Sequence, residues 1–192
     1  MLIEFSVKNF LSYKNRVTLS MEKGNGDENL DNIVSINNID LLKTAAIYGA
    51  NASGKSNMLK ALTCAILMVK NSNLIPIGGK WKYIKPFLFD KTSKSEPSEF
   101  VFIINNIKYR YFFSANENKI VDEVLDAYYS QKPTNIFTRT NTNIYEFTND
   151  KSKLESLAAN NTENKLFLST VTKYKRCISM VCKFDRYLWF FW

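Results

Sequence analysis

The residues with the most chemistry in them are Gly49-Ala50-Asn51-Ala52-Ser53-Gly54-Lys55-Ser56. Gly-x-x-x-x-Gly-Lys-Ser is a phosphate-binding pattern, the P-loop. Gly49 and Gly54 let the backbone curl so that successive N–H groups point inward. Those groups, with the positive end of a following helix, make a cradle for an anion. Lys55 adds a point charge that reaches β- and γ-phosphates. Ser56 offers a hydroxyl to Mg²⁺, a cation that prefers hard oxygen ligands. The candidate nucleotide-binding set is therefore Gly49, Ala50, Asn51, Ala52, Ser53, Gly54, Lys55, Ser56 and Asn57, with Ser56 as the metal ligand. The implied cofactors are ATP and Mg²⁺. A chance Gly/Ser loop can produce the bare pattern, so the flanking elements must decide.

A loop of this kind needs a strand before it and a helix after it. Thr44-Ala45-Ala46-Ile47-Tyr48 is a short apolar run of small and β-branched residues, the pattern of a strand buried on both faces. After the loop, Met58, Leu59, Leu62, Ala65, Ile66 and Val69 recur at helical spacing, with Asn57, Lys60, Thr63 and Lys70 outside. Asn71-Ser72-Asn73 and residues 76–79 end that helix. Upstream, Ile3, Phe5 and Val7 alternate with Glu4, Ser6 and Lys8, as in a half-buried strand. Val17, Leu19 and Met21 alternate likewise, so an opening hairpin turns through Leu11-Ser12-Tyr13-Lys14-Asn15. Residues 23–32 read as a loop.

The middle of the chain is β-rich. Phe100, Phe102 and Ile104 alternate, as do Tyr109, Tyr111 and Phe113, and Asn105-Asn106 suits the reversal between them. Residues 120–129 and 136–139 are further strands, and Ile144-Tyr145-Glu146-Phe147 pairs with the latter across Asn141-Thr142-Asn143. Asp150 caps a short helix through Ala159. Residues 160–164 are a polar linker before the apolar Leu166-Phe167-Leu168.

The wider pattern resembles the ABC-type ATPases of the structural-maintenance-of-chromosomes, RecF and OLD group. It is most similar to the bacterial AAA family ATP-binding proteins of abortive infection and phage defence. The matching residues run from Ile3 through Asn9-Phe10-Leu11-Ser12-Tyr13, and from Ile47-Tyr48 through the loop to Asn57. Pro86-Phe87, Phe89-Asp90, Tyr109-Arg110-Tyr111 and Phe137-Thr138-Arg139 match too. The resemblance implies an α/β P-loop NTPase fold: an ABC-ATPase-like partial head with an antiparallel β subdomain beside the P-loop sheet. It also implies that the turn from Asn9 to Tyr13 lies near bound nucleotide.

A complete head of that group also carries a signature motif, a Walker B strand ending in Asp-Glu, and usually a switch histidine. This chain has no histidine and no Leu-Ser-Gly-Gly-type signature. Asp122-Glu123 follows Asn118-Lys119-Ile120-Val121, too few apolar residues for a Walker B strand, and reads as an ordinary antiparallel strand. Met180 to Asp185 is a second decoy, broken by Lys183. No catalytic residue is assigned.

Composition sets the remaining bounds. Hydrophobic residues are 45% of the 192, enough for a packed core. The net charge is +8, a bias toward polyanions. Half of it falls in the last twenty residues, where Lys173, Lys175, Arg176, Lys183 and Arg186 oppose only Asp185. Cys64, Cys177 and Cys182 match no disulfide framework and, without histidine, no zinc quartet. The start has no signal-peptide pattern, and no stretch is long and apolar enough to span a bilayer. A cytoplasmic setting is expected.

Residues 1–172 are thus expected to be the N-terminal part of an ABC-type head. Residues 173–192 form a basic tail with seven aromatic residues. Three readings of the tail stand: an out-of-frame or truncated end, docking on a membrane surface, and stacking on single-stranded nucleic acid. The function expected is an incomplete head that binds ATP·Mg²⁺ and turns it over poorly. The alternatives are a complete small P-loop enzyme using Asp122 or Asp185, and a non-enzymatic module whose partner is nucleic acid or a full-length homologue.

Overall fold

The computed structural model describes residues 1–26, 29–89 and 95–173. The expected tail beyond residue 173, with Asp185, Cys177 and Cys182, lies outside the described residues, as does Asp90.

Seven strands form one sheet: β1 (Leu2–Val7), β2 (Val17–Ser20), β5 (Glu96–Ile104), β6 (Ile107–Ala115), β7 (Ile120–Tyr128), β8 (Thr134–Thr140) and β9 (Ile144–Phe147). Their order is β2-β1-β5-β6-β7-β8-β9, and every described pairing is antiparallel. A separate hairpin joins β3 (Ile33–Ile36) and β4 (Ile39–Leu42). The α-helices among the described residues are α1 (Lys55–Asn71), α2 (Lys151–Ala159) and α3 (Phe167–Lys173). With helices beside a sheet, the fold is α/β.

The sheet is built by local rules. Ile104 pairs with Ile107 across Asn105 and Asn106, both at positive φ, the two-residue turn whose twist matches the strands. Phe100, Phe102, Tyr109, Tyr111 and Phe113 then fall on one face and join the core beneath α1. On the opposite face a row of charges crosses the strands. Arg16 bonds Glu99, Arg110 Nε donates to Glu99 at 2.8 Å, and Arg110 Nη1 reaches Asp126 at 3.2 Å. Its signs alternate, so this face is self-paired and not an open basic patch. At one end the β3–β4 hairpin covers that face, packing Leu41 against Ile3 and Ile103.

Several expectations are corrected. Thr44-Ala45-Ala46-Ile47-Tyr48 forms no strand; its residues are exposed, Tyr48 at 89%. A strand buried on both faces needs neighbours to take its backbone bonds and apolar side chains, and no described residue supplies them. The P-loop sheet expected beside the antiparallel one is therefore not among the described residues. Leu59, expected on the buried face of α1, is 56% exposed for the same reason. In β1 the alternation breaks at a register shift between Leu2 and Glu4. That bulge sends Leu2 to the main core and Ile3 to the β3–β4 side. Ser6, expected outside, is buried and bonds Thr18 at 2.8 Å. Asp150 precedes α2, but its carboxylate makes no cap; its backbone oxygen accepts from Lys153 and Leu154. The polar stretch before Leu166 is partly interior, since Asn164 is buried and bonds Pro76 O and Gly79 O at 2.8 and 2.9 Å.

Candidate functional site

The loop from Gly49 to Ser56 runs directly into α1. Gly54 is the residue before the helix, at φ +96°, a left-handed conformation that costs glycine little. Ala52 is also left-handed, at φ +62°. No side chain caps α1; the Asn57 N–H turns back to Gly54 O at 2.8 Å, which leaves the Lys55 and Ser56 N–H groups uncapped at the loop. Seventeen residues of helix stand behind them, with the positive end of the peptide dipoles at the loop. Together these features make a concave, positively polarised pocket.

Ala52, Ser53, Gly54, Lys55, Ser56 and Asn57 line a cleft of about 170 Å³. Gly49 lies across the loop from them, where an added Cβ would sit 3.0 Å from Ser53 Oγ. Lys55 Nζ donates to Gly49 O and Ala50 O, each at 2.6 Å, so the ammonium closes the loop on itself. Ser56 is exposed at the first turn of α1. A second cleft, about 290 Å³, adjoins Lys55 and Ser56 and is walled by Leu19, Met21, Ile47 and Leu59. Lys43, Thr44 and Ala45 complete its lining, and Ile47 and Leu59 are the side chains left exposed where the expected strand does not form.

Six of the nine expected site residues, Ala52 to Asn57, line the cleft; Gly49 and Ala50 are tied to it through Lys55, and Asn51 is exposed in the turn. The structure adds a contact that no local pattern reveals. The turn between β1 and β2 reaches the loop: Tyr13 Oη donates to Gly54 O at 2.7 Å, and Asn57 Nδ2 donates to Ser12 Oγ at 2.8 Å.

Among the described residues no group of three or more acidic or cysteine side chains could hold a metal. Ser56 is one exposed hydroxyl. That donor set fits a Mg²⁺ held mainly by phosphate oxygens and water, the usual manner for this cation, and would not fit a metal bound by protein alone.

The acidic pair in β7 is committed elsewhere. Asp122 accepts from Ser114 Oγ at 3.1 Å and from the Asn141 N–H at 3.3 Å. Glu123 is fully buried and accepts from Tyr111 Oη at 2.8 Å and from the Phe167 and Leu168 N–H groups at 2.7 and 2.9 Å. Burial pushes its carboxyl up, while Arg139, those N–H groups and the Tyr111 hydroxyl pull it down. β7 sits between β6 and β8 in the antiparallel sheet, as expected for an ordinary strand rather than a Walker B strand.

A family model described as "AAA domain, putative AbiEii toxin, Type IV TA system" matches residues 45–180, well over half of the chain. The match takes in the whole loop, α1 and the sheet from β5 to β9. Among curated proteins, none matches the chain. Among the described residues, no helix is long and apolar enough to cross a membrane.

Proposed function

The chain belongs to this AAA-domain family, and on that premise we propose that it binds ATP·Mg²⁺ through the loop from Gly49 to Ser56 and hydrolyses it slowly if at all. It would act as an incomplete P-loop ATPase head of the ABC type. The observation that carries this reading is the loop itself: uncapped N–H groups at the start of α1, Lys55 beside them, and an exposed Ser56 hydroxyl around one cleft. Triphosphate would displace the Lys55 ammonium from Gly49 O and Ala50 O and take its charge. Mg²⁺ supplies charge neutralisation and orientation of the phosphates. The family's toxin–antitoxin description is in keeping with the abortive-infection setting that the sequence resemblance implies, and we place the nucleotide step in that setting.

The alternative of a complete small enzyme is less well supported, because Asp122 is engaged by Ser114 and Asn141 and Glu123 is buried against Arg139. A nucleic-acid module is disfavoured by the alternating charges on the sheet's outer face.

The test is ATP affinity in the wild type and in Lys55→Ala, each with Mg²⁺ and with EDTA. Lys55→Ala is expected to lose detectable binding at an unchanged melting temperature. EDTA is expected to weaken wild-type binding, and Ser56→Ala to lose most of that Mg²⁺-dependent part. Equal affinity in wild type and Lys55→Ala would sink the assignment.

A further inference from the structure

The turn between β1 and β2 is fixed far more firmly than a surface hairpin requires. Asn9 and Leu11 are both at positive φ, 55° and 47°, conformations that non-glycine residues rarely keep without support. Asn9 is 1% exposed and spans two neighbours: the Phe87 N–H donates to its Oδ1 at 3.0 Å, and its Nδ2 donates to Ser95 O at 2.9 Å. The Leu11 N–H donates to Lys85 O at 2.8 Å. Phe10 and Tyr13 exchange backbone bonds of 2.9 and 2.8 Å, and the Phe10 ring is buried in the core. The outcome is a rigid knuckle that presents Ser12 and Tyr13 to the start of α1.

The point of contact is the peptide linking Gly54 and Lys55. Its carbonyl accepts from the Asn57 N–H at 2.8 Å, from the Met58 N–H at 3.3 Å, and from Tyr13 Oη at 2.7 Å, the shortest of the three. In a trans peptide the C=O and N–H point in opposite directions. Whatever holds the Gly54 carbonyl against the turn therefore aims the Lys55 N–H the other way. A flipped peptide would put a carbonyl oxygen where an anion should sit. The fit is close: a Cβ on Gly54 would lie 3.1 Å from Ser12 Oγ and 3.2 Å from the Tyr13 ring. Asn57 Nδ2 on Ser12 Oγ ties the first turn of the helix to the same knuckle.

We propose that Tyr13 is a positioning residue for the phosphate loop. Its hydroxyl latches the Gly54 carbonyl, holds the Lys55 N–H in its anion-binding direction before nucleotide arrives, and acts together with the Ser12–Asn57 bond. The proposal rests on the nucleotide reading above for its purpose, but the latch itself exists in the free protein. Burial pushes the Tyr13 phenol up from its ordinary value, so the hydroxyl keeps its proton to donate at neutral pH. The ligand feature recognised through the latch is a polyphosphate, with no part of the nucleoside involved.

The test compares the wild type, Tyr13→Phe, Ser12→Ala and Lys55→Ala as full chains. Tyr13→Phe keeps the ring and removes only the hydroxyl, so its melting temperature should stay near the wild type's. Two readouts follow. In the nucleotide-free protein, amide hydrogen exchange at Asn57 and Met58, whose N–H groups bond the latched carbonyl, should quicken by about three- to tenfold, the size of one hydrogen bond. Affinity for ATP and for inorganic tripolyphosphate should fall together by a similar factor, with a smaller fall in Ser12→Ala. Exchange at Asn57 and Met58 at the wild-type rate would overturn the latch. So would unchanged affinity in Tyr13→Phe while Lys55→Ala loses binding. A loss for ATP but none for tripolyphosphate would assign Tyr13 to the nucleoside and overturn it as well. Failure of the wild type to bind either probe would sink the nucleotide reading, and with it the purpose of the latch. The exchange rate would still decide whether the hydroxyl holds the peptide.

Discussion

Glu96 and Glu123 are two buried carboxyl groups in one sheet with opposite provision for their charge. Glu123 accepts from a tyrosine hydroxyl and two backbone N–H groups and faces an arginine. Glu96, 5% exposed in β5, has no partner for Oε1 among the described residues. Burial pushes its carboxyl up to about 8, against the opposing pull of the Lys85 N–H and ammonium. The folded chain then keeps a proton that the unfolded chain releases above its ordinary value of 4.5. Over that interval the unfolded state binds fewer protons, so stability is greatest below it, falls as pH rises, and levels off above about 8. The slope from this one group is at most about 1.4 kcal/mol per pH unit. Urea midpoints measured from about pH 5 to 8 should decline in the wild type and flatten in Glu96→Gln, which should be the more stable of the two at the upper end. Parallel declines in both proteins would show that Glu96 ionises freely in the fold.

At the scale of elements, one buried ion pair joins β7, β8 and α3. Arg139 and Glu123 are both fully buried, 3.7 Å apart. Arg139 also donates to Thr142 O, to Lys165 O at 2.7 Å, and to Thr162 O and Glu163 O at longer range. Glu123 takes the N–H groups that open α3. Removing one partner leaves the other charged and dry, a loss of about 3–5 kcal/mol. Arg139→Ala should therefore lower unfolding free energy by that order, measured by denaturant titration, and Glu123→Gln combined with Arg139→Met should recover part of it. A loss in Arg139→Ala no larger than that of a surface residue would show that α3 is held by Phe167 and Leu168 packing alone.

The same elements show what could be read from sequence. The β5–β6 and β8–β9 hairpins were legible because alternation and turn residues lie within a few positions of each other. The β3–β4 hairpin carries an equal signal, Asn37-Asn38 between apolar runs and both at positive φ. α3 gave no helical period, because Leu166, Phe167 and Leu168 are all fully buried. The bulge at Ile3 has no local signature at all. Residues 44–48 misled for a different reason: their types suit a buried strand, but burial is conferred by neighbours. The Gly-x-x-x-x-Gly-Lys-Ser pattern was legible because it is contiguous in sequence. The Tyr13–Gly54 bond, between residues 41 apart, was not.

At the scale of the whole molecule, one antiparallel sheet has the loop from Gly49 to Ser56 at its margin, open on the side of Ile47 and Leu59. Phosphoryl transfer depends on charge stabilisation on several sides of the γ-phosphate and on a positioned nucleophile. On the proposed reading, the loop, Lys55 and Ser56 would supply one side. The carboxylates a second side would need are not free: Asp122 bonds Ser114 and Asn141, and Glu123 is enclosed with Arg139. Water approaching bound ATP from the open side would meet Leu19, Met21, Ile47 and Leu59 with Lys43 and Thr44 among them, and no carboxylate that could take its proton. We therefore expect binding without appreciable turnover: phosphate release by purified protein with ATP·Mg²⁺ below about one per minute, against the ~1–100 s⁻¹ typical of kinases. The rate should be no higher than that of Lys55→Ala. Several turnovers per minute, lost in Lys55→Ala and lost again in Asp122→Asn, would mean that Asp122 leaves Ser114 and Asn141 to serve the phosphate and that the chain is a complete enzyme. Turnover lost in Lys55→Ala but kept in Asp122→Asn would place the second side of the site on residues other than the β7 pair.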